Sequence, residues 1–347
     1  MTLTTIRNLI PHSIIRLLRQ NIFVRRKFRK ELRRKTIALY AEVTTYCNAR
    51  CVMCSWPEKY IDQGMQTTHM PQKIIDHLLD SVQKIAGRGY HISFFAIGLG
   101  EPLLYPELVD LFCKLKAIAP GIRIVLTTNG IPLKESTFTE LVKAGIDEIT
   151  ISLNADSREG YQTVMGIDKY ETVLKNIHSA LRYKKERNLI SPKISIQFLD
   201  SDHLKKSFFG IVKSWLPYLT GTDKVFFHEI VSAGGSCSLG KKSKVMENTK
   251  TRFPGHEPWN LISVQSDGST YPCSPPYFWK EKKDDLYLGN ILEKDLIDLF
   301  FENCHIQKVR DAMLRNDYSR LPTCTGCDNP ILAPNPFLKD KATSKWY

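Results

Sequence analysis

The chain lacks any run of eighteen or more apolar residues, so its sequence predicts no membrane-spanning helix. It has no internal repeat and no long low-complexity tract. Pro11, His12 and Arg16 interrupt the first apolar stretch, which argues against a secretory signal, although an Arg-rich transit peptide remains an alternative. With 347 residues, of which 42% are hydrophobic and 24% charged, the chain can bury a core as one large domain plus a smaller appendage.

Acidic residues are almost absent from the first 35 residues, where eleven Lys or Arg stand against Glu31 alone. This arm carries +10 of the overall +13, so the rest of the chain is not a broad basic surface and no nucleic-acid partner is expected. Its Ile and Leu residues recur at helical spacing, which suits weak contact with an anionic membrane or a protein. A solvated basic extension is the alternative of equal weight. We expect a cytoplasmic protein, with peripheral membrane contact through residues 1–35 left open.

Apolar, β-rich runs alternate with amphipathic helical stretches between residues 37 and 230. The alternation predicts right-handed crossovers and a parallel sheet covered by helices. Six such units are too few for a closed eight-stranded barrel, so the predicted fold class is α/β with a partial (β/α)6 barrel. The strands are predicted at 37–43, 91–97, 122–127, 147–153, 193–199 and 224–230, and the helices at 72–87, 106–118, 134–144, 169–188 and 203–216.

The pattern changes near residue 231, where a stretch rich in Gly, Ser, Lys and Pro begins. A hairpin follows at 261–265 and 269–271, turned at Asp267-Gly268, because a D-G pair favours a tight turn. A helix is predicted at about 293–314. These features divide the chain into a basic arm at 1–35, a core at 36–235 and a small cysteine-rich domain at 236–347.

The nine cysteines are clustered, which in a large chain favours metal binding over disulfides and indicates a reducing compartment. Cys47, Cys51 and Cys54 form a C-x3-C-x2-C loop directly after the first predicted strand. Three thiolates on one loop can bind three irons of a cubane cluster and leave the fourth iron open to a small molecule. A structural zinc site needs four ligands, and no nearby Cys or His in the sequence supplies the fourth.

The ends of the next three predicted strands also carry glycine-rich or polar segments. In parallel α/β folds, functional groups lie on loops at the carboxyl ends of the strands, so we expect these segments and the cysteine loop to share one rim. They are Gly98, Gly100, Glu101 and Pro102 after the second strand, Thr128 and Asn129 after the third, and Ser152 and Asn154 on the fourth.

The cysteine triplet, the G-x-G-E-P segment and the order of strands together resemble the radical S-adenosylmethionine (radical SAM) superfamily over roughly residues 37–230. The resemblance implies a 4Fe–4S cluster that binds S-adenosylmethionine through its methionyl amino and carboxylate groups. It also implies reductive cleavage of that cofactor to a 5′-deoxyadenosyl radical. The electron would come from a low-potential donor of the flavodoxin or ferredoxin type.

The same resemblance assigns the cofactor pocket. It implies that Gly98–Pro102 line the methionyl amino group, that Ser152 and Asn154 reach the ribose or carboxylate, and that Thr128 and Asn129 belong to the same pocket. One departure is visible, because the residue before the third cysteine is commonly aromatic in the family and here is Met53. Trp56 is the alternative neighbour of the adenine.

Beyond the core, Cys273 closes a G-x4-C motif and Cys324 and Cys327 form a C-x2-C pair. This arrangement resembles the auxiliary-cluster (SPASM or twitch) domain of the superfamily and implies one auxiliary cluster, of the 4Fe–4S type, on these three cysteines. The family pattern places a cysteine shortly before a Pro-Trp pair, whereas here His256 precedes Pro258-Trp259. The predicted fourth ligand is His256, with Cys237, Cys304 or the substrate as alternatives. Structural zinc on the same residues is the other hypothesis.

These features predict an enzyme that abstracts hydrogen from a sugar-like or other small metabolite, in a dehydrogenation or an epimerisation. A maturase that modifies a ribosomal peptide or protein is the alternative, less favoured because the arm lacks the strand pattern of a leader-binding domain. A non-catalytic, zinc-binding interaction protein is the alternative from another class. No single residue is predicted to be catalytic. Cys113 is expected to be a buried thiol, and packing is favoured over ligation for Cys304.

Overall fold

A computed structural model describes residues 35–54, 67–201, 203–228, 255, 257–274, 284–315 and 317–325. Within these ranges, no helix has the length and apolar character needed to cross a membrane. Several predicted features lie outside the described residues, and the predictions about them stay predictions. They are the basic arm, Trp56, Cys237, His256 and Cys327.

The core strands alternate in burial, as expected for a sheet covered by helices. In β1 the side chains of Ile37, Leu39 and Ala41 are buried, and those of Ala38 and Tyr40 between them are half-buried on the opposite face. The strands in chain order are β1 Thr36–Ala41, β2 His91–Ala96, β3 Arg123–Thr128, β4 Glu148–Ser152, β5 Lys193–Leu199, β6 Lys224–His228, β7 Leu261–Val264, β8 Ser269–Tyr271 and β9 Gly289–Asn290.

Amphipathic helices cover the buried face of the core strands, with apolar side chains turned toward the sheet. A short helix, Arg158–Met165, begins where the Ser157 hydroxyl accepts a hydrogen bond from the Gly160 amide, and ends at Gly166 in the left-handed conformation. In chain order the helices are α1 Gln72–Gly87, α2 Leu108–Ile118, α3 Glu135–Lys143, α4 Arg158–Met165, α5 Tyr170–Glu186, α6 Phe208–Trp215, α7 Glu257–Asn260, α8 Cys304–Arg315 and α9 Pro322–Thr325.

The described strands form one sheet in the order β6-β5-β4-β3-β2-β1-β7-β8-β9. The six core strands are parallel neighbours in chain order, which confirms the predicted α/β architecture. The C-terminal region adds β7 parallel to β1, with Ala38 opposite Leu261 and Ala41 opposite Val264. Strands β8 and β9 continue antiparallel. The C-terminal strands therefore extend the core sheet along its β1 edge.

Two clusters of buried side chains follow from this topology. The large cluster lies between the sheet and its helices, and also includes C-terminal residues such as Ile262, Leu296 and Phe300. The small cluster belongs to the C-terminal region and has Trp259 and Met313 among its members. The predicted boundary at residue 235 stays a prediction, but the C-terminal region shares the main core of the fold.

Most predicted elements coincide with observed ones to within a few residues. The helix α4 was not predicted, because its eight residues contain few apolar positions. The helix predicted at about 293–314 is two elements, a π-helical turn at Asp298–Glu302 and α8, separated at Asn303. At this junction the Asn303 side chain accepts from the His305 amide and donates to the Leu288 carbonyl, which compensates for the interrupted helix.

Candidate active site and auxiliary centre

The cysteine loop leaves the carboxyl end of β1 and is fixed on both sides. On one side the Thr45 amide donates to the Thr68 carbonyl at 2.9 Å. On the other, the amides of Arg50 and Val52 each donate at 3.0 Å to the last turn of α4, at Met165 and Val164. The loop is therefore fixed by backbone hydrogen bonds to the segments on both of its sides.

The thiols of Cys47, Cys51 and Cys54 are partly buried. Burial raises the pKa of Cys47 and of Cys51, and the neighbouring charges of Cys54 and Cys47 raise the pKa of Cys51 further. The three groups are therefore close enough to act on one another. The raised pKa values keep the thiols of Cys47 and Cys51 protonated at neutral pH, and binding of iron to them must release those protons.

The Gly98–Pro102 segment follows β2 and packs directly on the cysteine loop. The Glu101 amide donates to the Tyr46 carbonyl at 2.8 Å. A Cβ atom at Gly100 would lie 2.2 Å from the Thr44 carbonyl oxygen, so only glycine allows this approach. A Cβ at Gly98 would likewise meet the Glu42 side chain at 2.6 Å. The prediction that this segment and the cysteine loop share one rim is confirmed.

Glu101 joins this segment to the loop after β3. Its carboxylate is 2% exposed and accepts hydrogen bonds from the Leu103 amide at 3.1 Å, the Thr128 hydroxyl at 2.7 Å and the Asn129 amide at 2.7 Å. Burial raises its pKa to about 7, and these hydrogen bonds oppose the shift. Both carboxylate oxygens thus have protein donors, and the predicted contact with the methionyl amino group stays a prediction.

Thr128 and Asn129 connect the loops by their side chains. The Thr128 hydroxyl also accepts from the Gly130 amide at 3.0 Å. The side-chain nitrogen of Asn129, Nδ2, donates at 2.7 Å to the side-chain oxygen of Asn48, a residue that lies between Cys47 and Cys51 in the sequence. Sequence reasoning placed Thr128 and Asn129 at the rim but missed Asn48, whose position inside the cysteine motif was the available signal.

Asn154 lies just beyond β4, buried and in the left-handed conformation at φ 59°. Its side-chain nitrogen lies 3.3 Å from Met165 Sδ, and its oxygen accepts from Gln197 at 3.3 Å. Met165 Sδ is in turn 3.7 Å from Cys51 Sγ. Ser152, at the end of β4, pairs with Gln197 across the sheet. The fourth strand end therefore reaches the cysteine loop through Met165, a contact that no sequence pattern indicated.

Tyr161 is a further group at this rim that the sequence did not reveal. Its side chain is fully buried in α4, and its hydroxyl has no hydrogen-bond partner within the described part of the chain. Burial raises the pKa of the hydroxyl, and the nearby charges of Cys51 and Glu101 raise it further. A buried hydroxyl without a partner beside the cysteine loop is suited to receive a polar group of a bound molecule.

The second cysteine set begins at Cys273, just after β8. The Cys273 thiol lies 2.8 Å from the Glu257 carboxylate, which also accepts from the Ser274 amide at 3.0 Å. Cys324, in α9, packs with Cys273 against the same small buried cluster. Helix α9 is held where Asp285 accepts from the Thr323 amide at 3.0 Å. Two of the three predicted ligands of the auxiliary cluster thus lie beside one small core.

Comparison with known proteins decides the family. Residues 41–192 match the family model of the radical SAM superfamily, and residues 256–328 match that of SPASM, an iron–sulfur cluster-binding domain. The chain is a radical SAM protein with a SPASM domain. The predicted membership of the radical SAM superfamily and the predicted SPASM domain are both confirmed. These two matches favour an enzyme over a zinc-binding interaction protein.

Among curated relatives, this radical SAM protein is 32% identical to GTP 3′,8-cyclase of Streptomyces coelicolor over 142 residues. The match covers 41% of this chain and only 40% of that relative. The chain also shares its fold with BtrN, solved with AdoMet and 2-DOIA, at a TM-score of 0.52 and 17% identity over 85% of this chain and 93% of BtrN. SuiB of Streptococcus suis, bound to the precursor peptide SuiA, gives a TM-score of 0.59 at 16% identity over 82% and 70% of the two chains.

The two domains of this radical SAM protein imply a 4Fe–4S cluster that binds S-adenosylmethionine and an auxiliary iron–sulfur cluster. The residues present fit the first cluster, since three neighbouring thiols stand on one loop and a buried hydroxyl without a partner, Tyr161, lies beside them. Within the described ranges, no three Cys, His, Asp or Glu side chains already stand in a metal-binding arrangement.

Two cysteines outside these sets differ from expectation. The prediction that Cys113 is a buried thiol is wrong, because its side chain is exposed on α2 beside the buried Phe112. Cys304 is also exposed, at the first position of α8, so the expected packing role is wrong as well. Cys113 lies next to the buried Phe112, and Cys304 lies two positions before the buried Ile306. On an amphipathic helix, a difference of one or two positions changes the face on which a side chain lies.

Proposed function

We propose that this radical SAM protein cleaves S-adenosylmethionine and abstracts hydrogen from a polar small molecule, in a dehydrogenation or epimerisation. The observation that supports the cleavage step most directly is a set of hydrogen bonds that links the loops after β2 and β3 to the cysteine loop. Glu101 joins the Gly98–Pro102 segment to Thr128 and Asn129, and Asn129 continues to Asn48 within the cysteine motif.

The chain's own residues have three tasks in this proposal. Cys47, Cys51 and Cys54 would hold the cluster, which supplies the electron that breaks a carbon–sulfur bond of the cofactor. Gly98 and Gly100 let their segment pack closely on Glu42 and on the Thr44 carbonyl beside the cysteine loop, where the segment would contact the methionyl group. The predicted partner that delivers the electron is a low-potential donor of the flavodoxin or ferredoxin type.

The half-buried face of the sheet carries polar side chains beside an aromatic ring. Ser152, Gln197 and Phe226 are lateral neighbours on β4, β5 and β6 and therefore point to the same side. All three are partly exposed. Hydroxyl and amide groups beside an aromatic ring suit a compact, hydroxyl-rich molecule, which could form hydrogen bonds at its edges and pack one face on the ring.

Two other substrates have support from specific observations. The sequence relatives named GTP 3′,8-cyclase favour a purine nucleotide, although they align with only about two fifths of the chain. The fold shared with SuiB, solved with a precursor peptide, keeps the peptide alternative open. The fold shared with BtrN, solved with 2-DOIA, is equally compatible with a small molecule.

Isotope transfer distinguishes these substrates. The reconstituted protein would be incubated anaerobically with S-adenosylmethionine, a reductant and one deuterated candidate at a time, namely aminocyclitols and sugars, GTP, or peptides. The proposal expects deuterium in the 5′-deoxyadenosine only with a hydroxyl-rich small molecule. Transfer from GTP or from a peptide would replace the proposed substrate class while leaving cofactor cleavage intact.

A further inference from the structure

Basic side chains stand at the amino-terminal ends of three core strands, at the opposite end of the sheet from the cysteine loop. They are Arg123 on β3, Lys193 on β5 and Lys224 on β6, each the first residue of its strand, and together we call them the basic cluster. Glu148, the first residue of β4, lies between them with Lys193 directly opposite. Lateral neighbours in a parallel sheet point to the same side, so these side chains share one face.

Glu148 is an acid that the whole basic cluster shares. Its side chain is 5% exposed, and its carboxylate pairs with Arg123 and, at 3.4 Å, with Lys193. It also accepts from the Ser195 hydroxyl at 2.7 Å. Burial alone would raise the pKa of Glu148, but the Ser195 hydrogen bond and the charges of all three cations lower it below its ordinary value. The carboxylate is therefore ionised at neutral pH, and each cation of the basic cluster acts on it.

The acids that immediately precede β4 and β6 have partners on the other face of the sheet. Asp147 pairs with Lys116 of α2 at 2.8 Å, and Asp223 pairs with Lys184 of α5 at 2.5 Å. Successive residues of a strand point to opposite faces, so these two acids lie on the side that the helices cover. The basic cluster and Glu148 thus bring three positive charges against one negative charge, an excess of two positive charges among these four groups.

The excess charge acts strongly on Lys224. Burial, and next to it the charge of Lys193, lowers the pKa of Lys224 from 10.5 to about 8, whereas the charge of Glu148 acts in the opposite direction. Two ammonium groups are thus held close together in a partly buried place, an arrangement that an anion bound between them would stabilise. The side chains of Arg123 and Lys193 are 47% and 25% exposed, so solvent reaches the basic cluster.

We propose that the basic cluster binds a phosphoryl group, either as inorganic phosphate or as part of a phosphorylated metabolite. Such a group carries about −1.5 to −2 charges at pH 7, which matches the excess of the site, and its oxygens can accept from one guanidinium and two ammonium groups. Ser152 and Gln197 of the proposed substrate site lie four residues further along β4 and β5, ~13 Å away. The basic cluster is therefore a second site, independent of substrate identity and of cofactor cleavage.

Isothermal titration of the anaerobically reconstituted full chain tests this site, with inorganic phosphate and glucose 6-phosphate as separate probes at constant ionic strength. Saturable binding is expected, and Lys224→Met should weaken it at least ~10-fold through loss of one charge-assisted hydrogen bond. Lys175→Met, which removes an exposed lysine on α5, is the matched control and should leave the affinity unchanged. Tighter binding of glucose 6-phosphate would identify the ligand as a phosphorylated metabolite, and otherwise the ligand is the free ion.

The pH dependence of binding supplies a second test that keeps the wild-type chain. Affinity for inorganic phosphate should fall ~10-fold or more between pH 7.5 and 9.5, because Lys224 loses its proton as the pH rises through about 8. Lys224→Arg keeps a positive charge that does not titrate in this range and should remove most of the fall. The proposal would be overturned by absence of saturable binding, by unchanged affinity in Lys224→Met, or by a wild-type pH profile in Lys224→Arg.

Discussion

Replacing Glu42 by glutamine is expected to remove a specific part of the pH dependence of stability. Glu42 follows β1 directly, is 4% exposed, and accepts hydrogen bonds from the Leu99 amide at 3.0 Å and the Ser266 hydroxyl at 3.1 Å. It thereby joins the Gly98–Pro102 segment to the β7–β8 turn of the C-terminal region. Burial raises its pKa from 4.5 to about 7, against the lowering effect of these hydrogen bonds.

The sign of the effect follows from the raised pKa in the folded protein. Below pH 4.5 the Glu42 carboxyl is protonated in both the folded and the unfolded states, and its contribution to stability is fully present. Between pH 4.5 and about 7 the folded protein keeps a proton that the unfolded chain has released, so the free energy of unfolding falls as the pH rises. At 1.36 kcal/mol per pH unit, the loss across this window is roughly 3 kcal/mol.

Glutamine retains an oxygen that can accept from the Leu99 amide, but it cannot titrate. Urea unfolding of wild type and Glu42→Gln, measured anaerobically between pH 5 and 8.5, should therefore show a shallower decline with pH in the variant. Glu101, whose pKa is also raised to about 7, accounts for a part of the decline that remains. The exposed Glu293→Gln serves as control. A wild-type slope in Glu42→Gln would show that Glu42 is ionised throughout this range and refute the reasoning.

Three further perturbations test other contacts. Gly100→Ala places a Cβ 2.2 Å from the Thr44 carbonyl oxygen. This overpacking should lower the free energy of unfolding by ~1–3 kcal/mol and reduce the iron bound per chain. A wild-type melting temperature and iron content would contradict this expectation. Tyr161→Phe should weaken S-adenosylmethionine binding by about tenfold in a titration of the reconstituted protein, through loss of one hydrogen bond; unchanged affinity would show that the hydroxyl has no role. Asp223→Asn removes the negative charge that pairs, at 2.5 Å, with the fully buried Lys184. It should cost ~3–5 kcal/mol in chemical denaturation, because the Lys184 charge is left buried and uncompensated. A loss below ~1 kcal/mol would mean that the protein accommodates that charge readily.

The fold and the rim of the site were largely predictable because their signals are local. Each core strand is a short β-rich run, and its alternation with helices determines the parallel order. The cysteine loop and the Gly98–Pro102 segment follow adjacent strands, so the same topology brings them together. Residues of this kind can be located from spacing alone.

The remaining site residues depend on contacts that spacing does not encode. Met165 reaches Cys51 because α4 docks on the cysteine loop, and Glu257 reaches Cys273 because two segments of the C-terminal region converge. The role of Glu42 requires β7 to pair with β1, more than 200 residues away in sequence. Long-range pairing of this kind is not visible in the periodicity of either segment.

Cofactor cleavage by the anaerobically reconstituted protein tests the central claim most directly. Wild type is expected to form 5′-deoxyadenosine from S-adenosylmethionine under reducing conditions and to contain iron in both cysteine sets. Cys51→Ala, which removes the middle thiol of the loop, is expected to form none while its auxiliary cluster persists. Formation of 5′-deoxyadenosine by Cys51→Ala, or wild-type protein that binds zinc and cleaves no cofactor, would contradict the account.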